Sequence, residues 1–301
     1  MSIVDPRALF ARLRSELSPE VVEHVVIIGS LAAAYHYAAL LSGGGVKTKD
    51  ADLVIHPSGH TVAAQEIASR LLARGWHEKI PLSHAPGKAD TPHDQLPAIR
   101  LYPPEHEDYF VELLIVPEGE NPGLKPWTSV ELPGGFYGLP SFEFLALTMI
   151  DRQRGEDGIE YAHPSMMALA NLLSHRELKF HRMSSPIGDR FIQRYAKDLG
   201  RVLALARLAT REEVESWADR WIFALQECFP TQWQELAATL GKGLRALLED
   251  AAFEEAWHCC NVGLLANKGV TESQLRGIAL QVLGDAVEPV EERGRQIVQA
   301  T

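Results

Sequence analysis

The chain is poor in cysteine, in basic residues and in long apolar runs, and each shortage argues against a class of protein. Its three cysteines, of which Cys259 and Cys260 are adjacent, are too few for a disulfide framework and indicate a reducing compartment. Lys and Arg number 29 against 40 Asp and Glu, and the resulting net charge of -11 disfavours general binding to nucleic acid. A local basic patch would still permit an RNA substrate, so RNA is disfavoured rather than excluded.

No apolar run is long enough to predict a membrane span. The longest covers residues 25–41 and is interrupted by a Gly-Ser pair and by His36, which is typical of a buried strand followed by a helix. Charged residues between positions 5 and 16 also argue against a secretory signal peptide. We therefore expect a cytoplasmic protein that acts without a membrane.

The most informative segment of the sequence begins with a strand-to-helix junction. The run 25–28 is β-branched and typical of a buried strand, Gly29 interrupts it, and Ser30 is a suitable N-cap for the Ala-rich segment that follows. Such a junction offers unpaired backbone N–H groups to an anion such as phosphate. Taken alone, the pattern more often marks an ordinary turn between a strand and a helix.

Three acids give the segment a chemical meaning. Asp50 and Asp52 lie two residues apart on the next predicted strand, so both carboxylates are expected on one face of a sheet. Neighbouring carboxylates are costly unless a cation or a proton separates them, and Mg²⁺ prefers a few carboxylates together with substrate phosphates. Glu112, a charge inside the apolar run 109–116, would complete a three-carboxylate cluster. The alternatives are a solvated edge strand for the two Asp residues and a wet sheet face for Glu112.

In this order, Gly29-Ser30, Asp50-x-Asp52 and Glu112 resemble the motif of the minimal nucleotidyltransferases of the DNA polymerase β superfamily. The segment 47–53 is similar to the AbiEii/MenA-type branch, which includes the nucleotidyltransferase half of toxin–antitoxin systems. Lys197-Asp198-Leu199 matches a Lys-Asp-Leu in the helical half of that branch, and the resemblance extends over residues 21–207. One position departs from the pattern: Asn171 stands where relatives often carry a Lys, for which Lys179 or Arg182 is the candidate replacement.

The resemblance implies a Mg²⁺- or Mn²⁺-dependent enzyme that moves a nucleoside monophosphate from a nucleoside triphosphate to an acceptor hydroxyl on RNA, a small molecule or a protein. A toxin role, with an antitoxin as partner, is part of that implication. Asp50, Asp52 and Glu112 would be the catalytic and metal-binding residues. The nucleotide-binding residues would be Gly29, Ser30, Lys49, Lys179, Lys197 and Asp198.

Other interpretations stay open for the same residues. Asp198 is explained equally well by an ion pair with a basic residue one helical turn away. The whole motif would also suit a catalytically inactive protein that senses nucleotides or binds a partner on the same fold. A metal-dependent nuclease is disfavoured because no Glu-x-Lys follows the acidic strand.

We expect an α+β protein. A helix within residues 1–20 should pack on the first domain, and the resemblance implies a nucleotidyltransferase domain over 21–158, with a mixed sheet flanked by helices. Helical periodicity predicts an all-helical domain over 159–301. The helices predicted there cover residues 165–180, 188–209, 211–228, 231–248, 251–266 and 271–283. We also predict a helix over 141–154 and an irregular passage with one short strand over 117–140.

Overall fold

The computed structural model describes residues 2–41, 45–56, 61–78, 85–105, 107–117, 127–142, 144–173 and 181–298. The prediction of an α+β protein with a mixed sheet is confirmed. The chain divides into two compact units. Met1–Tyr35 and Gly44–Ala162 form the first, called the sheet unit below, and His36–Gly43 and His163–Thr301 form the second, called the helical unit.

One mixed sheet of seven strands dominates the sheet unit. Within the described residues the strands are β1 (Ser2–Val4), β2 (Val25–Ile28), β3 (Val46–Thr48), β4 (Asp50–Ile55), β5 (His77–Glu78), β6 (Arg100–Tyr102), β7 (Phe110–Ile115), β8 (Trp127–Leu132), β9 (Gly135–Pro140), β10 (Gln153–Arg154) and β11 (Glu160–Tyr161). The large sheet has the order β10-β11-β2-β4-β7-β6-β5. In it, β11 and β2 are parallel, β4 and β7 are parallel, and the other neighbours are antiparallel.

Two further strand pairs lie outside the large sheet. β1 pairs with β3, and β8 pairs with β9 as an antiparallel hairpin. The sequence predicted only one short strand over residues 117–140. That prediction is wrong, because β8 and β9 both lie there. The turn of the hairpin ends at Gly135. Its φ is +133°, a conformation that glycine adopts readily because glycine has no Cβ.

In the described part of the sheet unit, the α-helices are α1 (Pro6–Glu16), α2 (Pro19–Val22), α3 (Gly29–His36) and α4 (Thr61–Ala73). Short 3₁₀ helices occur at His93–Gln95 and Leu145–Met149. The start of α1 was predictable, because the Asp5 carboxylate accepts hydrogen bonds from the backbone N–H groups of Arg7 and Ala8.

The predicted helix over 141–154 is wrong. The structure has the 3₁₀ helix Leu145–Met149 and then β10. Leu145 and Met149 pack with Val26, Val54 and Leu114 on one face of the sheet. Asp151, with a φ of +55°, cannot continue a right-handed helix. Packing against the sheet therefore overrides the local helical pattern.

The helical unit contains α5 (Pro164–Leu172), α6 (Arg194–Leu208), α7 (Arg211–Cys228), α8 (Trp233–Ala238), α9 (Lys242–Glu249), α10 (Phe253–Val262), α11 (Glu272–Val282) and α12 (Glu288–Val298). A 3₁₀ helix covers Ala38–Leu40, and a π-helical stretch, Leu283–Val287, joins α11 to α12. Among the helices described in either unit, none is both long and apolar enough to cross a membrane.

The predicted helices match the structure best where a capping box fixes the start. Thr210 with Glu213 caps α7, and Thr271 with Gln274 caps α11. The predicted helix 188–209 begins later, at Arg194. The predicted helix 231–248 is two helices, α8 and α9, and α12 was not predicted.

A buried carboxylate holds the break between α8 and α9. Glu291 is 6% exposed and accepts two hydrogen bonds from the Arg245 guanidinium, at 2.7 and 2.8 Å. The same carboxylate accepts the backbone N–H of Gly241 at 2.9 Å. Because the predicted helix 231–248 is broken here, the backbone N–H of Gly241 can donate to the Glu291 carboxylate.

We predict that Glu291→Ala lowers the free energy of unfolding by about 2 kcal/mol, because Gly241 N–H loses its partner and Arg245 loses its counter-charge. Glu288→Ala is the matched control on the same helix. Glu288 is 56% exposed and lies 3.9 Å from Arg245, so its loss should change stability by less than about 0.5 kcal/mol. Urea denaturation of both variants measures the difference, and equal losses would contradict the prediction.

Candidate active site

The candidate site lies on one face of the large sheet, where four strands carry side chains in one row. Strand register pairs Ile28 of β2 with Asp52 of β4, Asp52 with Glu112 of β7, and Glu112 with Arg100 of β6. Directly paired residues point to the same face of a sheet. Asp50, two residues before Asp52 on the same strand, also lies on this face. The three acids predicted from the sequence therefore share one face at one end of the sheet.

The glycine at the end of β2 lies against the second of these acids. Gly29 has a φ of +77°, and a Cβ added to it would lie 2.9 Å from Oδ2 of Asp52. Both the backbone conformation and the space require glycine at this position. Ser30 follows it in the first turn of α3. The Gly-Ser bend and Asp52 are thus neighbours, as the motif predicts.

A threonine orients the first acid. The Thr48 hydroxyl, which is buried, lies 2.8 Å from Oδ1 of Asp50 and donates a hydrogen bond to it. Lys49 lies at the bend between β3 and β4, and its carbonyl accepts the backbone N–H of Phe110 at 3.0 Å. The backbone that carries Asp50 is therefore fixed on both sides of the bend.

An arginine holds the third acid. Nε and Nη2 of Arg100 both lie 2.8 Å from Oε1 of Glu112. Glu112 is 13% exposed and Arg100 is 53% exposed, so the ion pair lies at the surface end of the row. The Arg100 guanidinium also lies over the ring of Phe110, 5.3 Å from its centre. A cation thus already neutralises Glu112.

The carboxylates of Asp50 and Asp52 are ligands of the kind that Mg²⁺ and Mn²⁺ prefer. The close approach of Gly29 to Asp52 also places the backbone of the Gly-Ser bend beside the Asp52 carboxylate. In the part of the chain that the structure describes, no group of three or more His, Cys, Asp or Glu is arranged to hold a metal ion. Asp50 is oriented by Thr48, and Glu112 binds Arg100. The two Asp residues fit a divalent ion, whereas Oε1 of Glu112 is already held by Arg100.

Two of the other predicted site residues lie in the helical unit. Lys197 and Asp198 lie on α6 of the helical unit. Asp198 is buried, and its Oδ2 lies 3.6 Å from Nε of Arg194, one turn earlier. This contact supports the interpretation of Asp198 as a member of a helical ion pair. Lys179 lies outside the described residues.

The position that departs from the nucleotidyltransferase pattern has a local partner. Nδ2 of Asn171 donates a hydrogen bond to the carbonyl of Met167, 2.6 Å away and one turn earlier in α5. The Asn171 side chain is therefore engaged with its own helix. It supplies no positive charge that could replace a Lys.

The chain matches no model of a known protein family, no curated protein and no solved structure.

Sequence reasoning did not single out Arg100. Its signal was present: one Arg in the short segment 97–102, which precedes the apolar run 109–116 that contains Glu112. Opposite charges on neighbouring strands often pair, but only the register says which residues face each other.

Replacing Gly29 tests the contact with Asp52. Gly29→Ala and Gly158→Ala both put a Cβ at positive φ (Gly158 has φ +83°), so each should destabilise by about 1–2 kcal/mol. A Cβ on Gly158 meets nothing within 4 Å, whereas one on Gly29 meets Asp52. If the site binds a nucleotide with Mn²⁺, as the sequence predicts, only Gly29→Ala should weaken that binding, by about tenfold, measured by calorimetry. Equal binding by the two variants would contradict this.

Proposed function

We propose that the protein is a Mg²⁺-dependent nucleotidyltransferase that acts in the cytoplasm. The observation that carries the proposal is the row across β2, β4, β7 and β6. It sets Asp52 beside Glu112, with Asp50 on the same face and Gly29 against Asp52. Carboxylates on neighbouring strands, next to a glycine bend at a helix start, are suited to a nucleoside triphosphate and its divalent ion.

In the proposed reaction, the N–H groups of the Gly29-Ser30 bend and the Ser30 hydroxyl bind the outer phosphates. Asp50 and Asp52 would hold the Mg²⁺. When bound, the ion neutralises charge that develops on the phosphates. The acceptor hydroxyl oxygen bonds to the α-phosphorus, the bond from the α-phosphorus to the bridging oxygen breaks, and pyrophosphate leaves. Glu112 takes the hydroxyl proton.

The substrates follow from the same chemistry. The donor is a nucleoside triphosphate, and the acceptor is a hydroxyl on RNA, a small molecule or a protein. The net charge of -11 weighs against RNA. An antitoxin belongs to the proposal as a partner through the resemblance to the toxin–antitoxin branch.

Labelled nucleotides test the proposal directly. ATP, GTP, CTP and UTP are first titrated against the protein with Mg²⁺ by calorimetry. The nucleotide that binds is then supplied with an α-³²P label together with cell extract. We expect one class of macromolecule or metabolite to become labelled and pyrophosphate to be released. This one experiment identifies both the donor and the acceptor.

A nucleotide-sensing protein on the same scaffold is the second candidate. The ion pair between Glu112 and Arg100 favours it, because that contact neutralises the third acid. Nucleotide binding without label transfer or pyrophosphate release would select the sensor. Absence of binding to all four nucleotides would overturn both functions.

A further inference from the structure

We infer that Arg100 takes the place of the second ion of a two-metal site, so that the acidic row (Asp50, Asp52 and Glu112) binds a single divalent cation through Asp50 and Asp52. This inference rests on the proposed function and narrows it. Glu112 would then be a proton acceptor that Arg100 positions, rather than a metal ligand.

The first support is geometric. Arg100 and Glu112 are register partners, and Glu112 and Asp52 are register partners on its other side. The guanidinium therefore reaches Glu112 from the side opposite Asp52. Two of its nitrogens lie at 2.8 Å from the same carboxylate oxygen, Oε1. Charge-assisted hydrogen bonds of this length are strong, so Oε1 of Glu112 is held by Arg100.

The second support is the way Arg100 is held. Its guanidinium lies over the ring of Phe110, which is the register partner of Asp50. The cation is thus fixed by a carboxylate and by an aromatic face together. The Arg100 side chain is 53% exposed, so these two contacts are what hold it.

The third support is electrostatic. Arginine keeps its charge at every physiological pH, unlike a group that could release its proton to admit a metal ion. A second divalent ion at Glu112 would have to displace this cation or lie beside it. Repulsion between the two opposes a second ion.

Counting bound Mn²⁺ tests the inference. Mn²⁺ is titrated into the full chain in the presence of a nucleoside triphosphate analogue with a non-hydrolysable α,β-methylene bond, and the electron paramagnetic resonance signal of unbound Mn²⁺ is recorded. We expect one ion per wild-type chain. Arg100→Gln should bind a second ion at least about tenfold more tightly than wild type, because the opposing charge is gone. Arg100→Lys keeps the charge and should bind one.

Three controls make the count specific. Arg70→Gln removes a half-exposed charge from an ion pair with Glu66 on α4, and it should leave one ion bound. Glu112→Gln should also retain one ion with wild-type affinity. The double variant Arg100→Gln/Glu112→Gln should lose the second ion that Arg100→Gln gains, since Glu112 is the ligand that the substitution releases.

Different results overturn different claims. Two ions on the wild-type chain, or a single ion on correctly folded Arg100→Gln, would refute the role of Arg100 and leave the transferase proposal standing. Loss of an ion in Glu112→Gln would also refute the role of Arg100 and leave the transferase proposal standing. This measurement does not depend on the folding of the Arg100 variant. A wild-type chain that binds no Mn²⁺ with the analogue would refute both proposals.

Discussion

Asp52→Asn should lower the rate of the proposed nucleotidyl transfer by about a thousandfold or more, while the chain keeps its fold. Asn has nearly the same size as Asp, so the close approach of Gly29 is preserved. The substitution removes a negative charge from the centre of the row, where the proposed ion binds. Initial rates of label transfer measure the loss, and circular dichroism verifies the fold.

Two companion variants show whether the effect belongs to the acidic row. Asp50→Asn should lose activity to a similar extent, since Asp50 shares the face and the proposed ion. Glu66→Gln removes a carboxylate of similar chemistry from α4, where Glu66 forms a half-exposed ion pair with Arg70. The Glu66→Gln variant should transfer label at the wild-type rate. Wild-type rates in Asp52→Asn would remove the basis of the proposed mechanism.

The sequence predicted the chemical groups of this site better than their arrangement. A run of β-branched residues, a Gly-Ser pair and two Asp residues at a spacing of two are local patterns, and local geometry determines what they form. The pairing of Asp52 with Glu112 depends on strand order and register. A shift of one residue would have turned Glu112 to the opposite face, and no local signal excludes that shift.

The helices show the same division. α7 was predicted with its observed bounds because its start and its apolar face are both encoded within its own length. The segment with Leu145 and Met149 has an equally good helical pattern. In the fold, however, these two side chains pack in one core cluster with Val54 and Leu114. The strand pairing of β10 with β11 then ends the segment. Packing partners far away in the sequence decided this region, so the local pattern failed.

Gly200→Ala should lower the free energy of unfolding by about 3 kcal/mol, although alanine is the better helix former. Gly200 lies in the interior of α6, where α10 crosses it. A Cβ at this position would lie 2.8 Å from the carbonyl oxygen of Ala256 and 3.3 Å from its Cα. Both are backbone atoms, so a whole helix must move to make room.

A buried thiol also holds the crossing together. Sγ of Cys260 donates a hydrogen bond to the carbonyl of Gly200 at 3.0 Å. Burial raises the pKa of the Cys260 thiol, which therefore stays protonated and able to donate at neutral pH. Separation of α6 from α10 would lengthen this bond as well as opening the packing around Ala256.

Gly277→Ala supplies the control, because Gly277 is also inside a helix, α11, but a Cβ there meets nothing within 4 Å. Alanine at this exposed position should raise the free energy of unfolding by about 0.5–1 kcal/mol, since it restricts the unfolded chain and favours the helix. Urea denaturation followed by tryptophan fluorescence measures both variants. Opposite signs would mean that the close approach of two backbones, rather than helix propensity, determines the residue at 200. A stabilising Gly200→Ala would mean that α10 can shift without penalty.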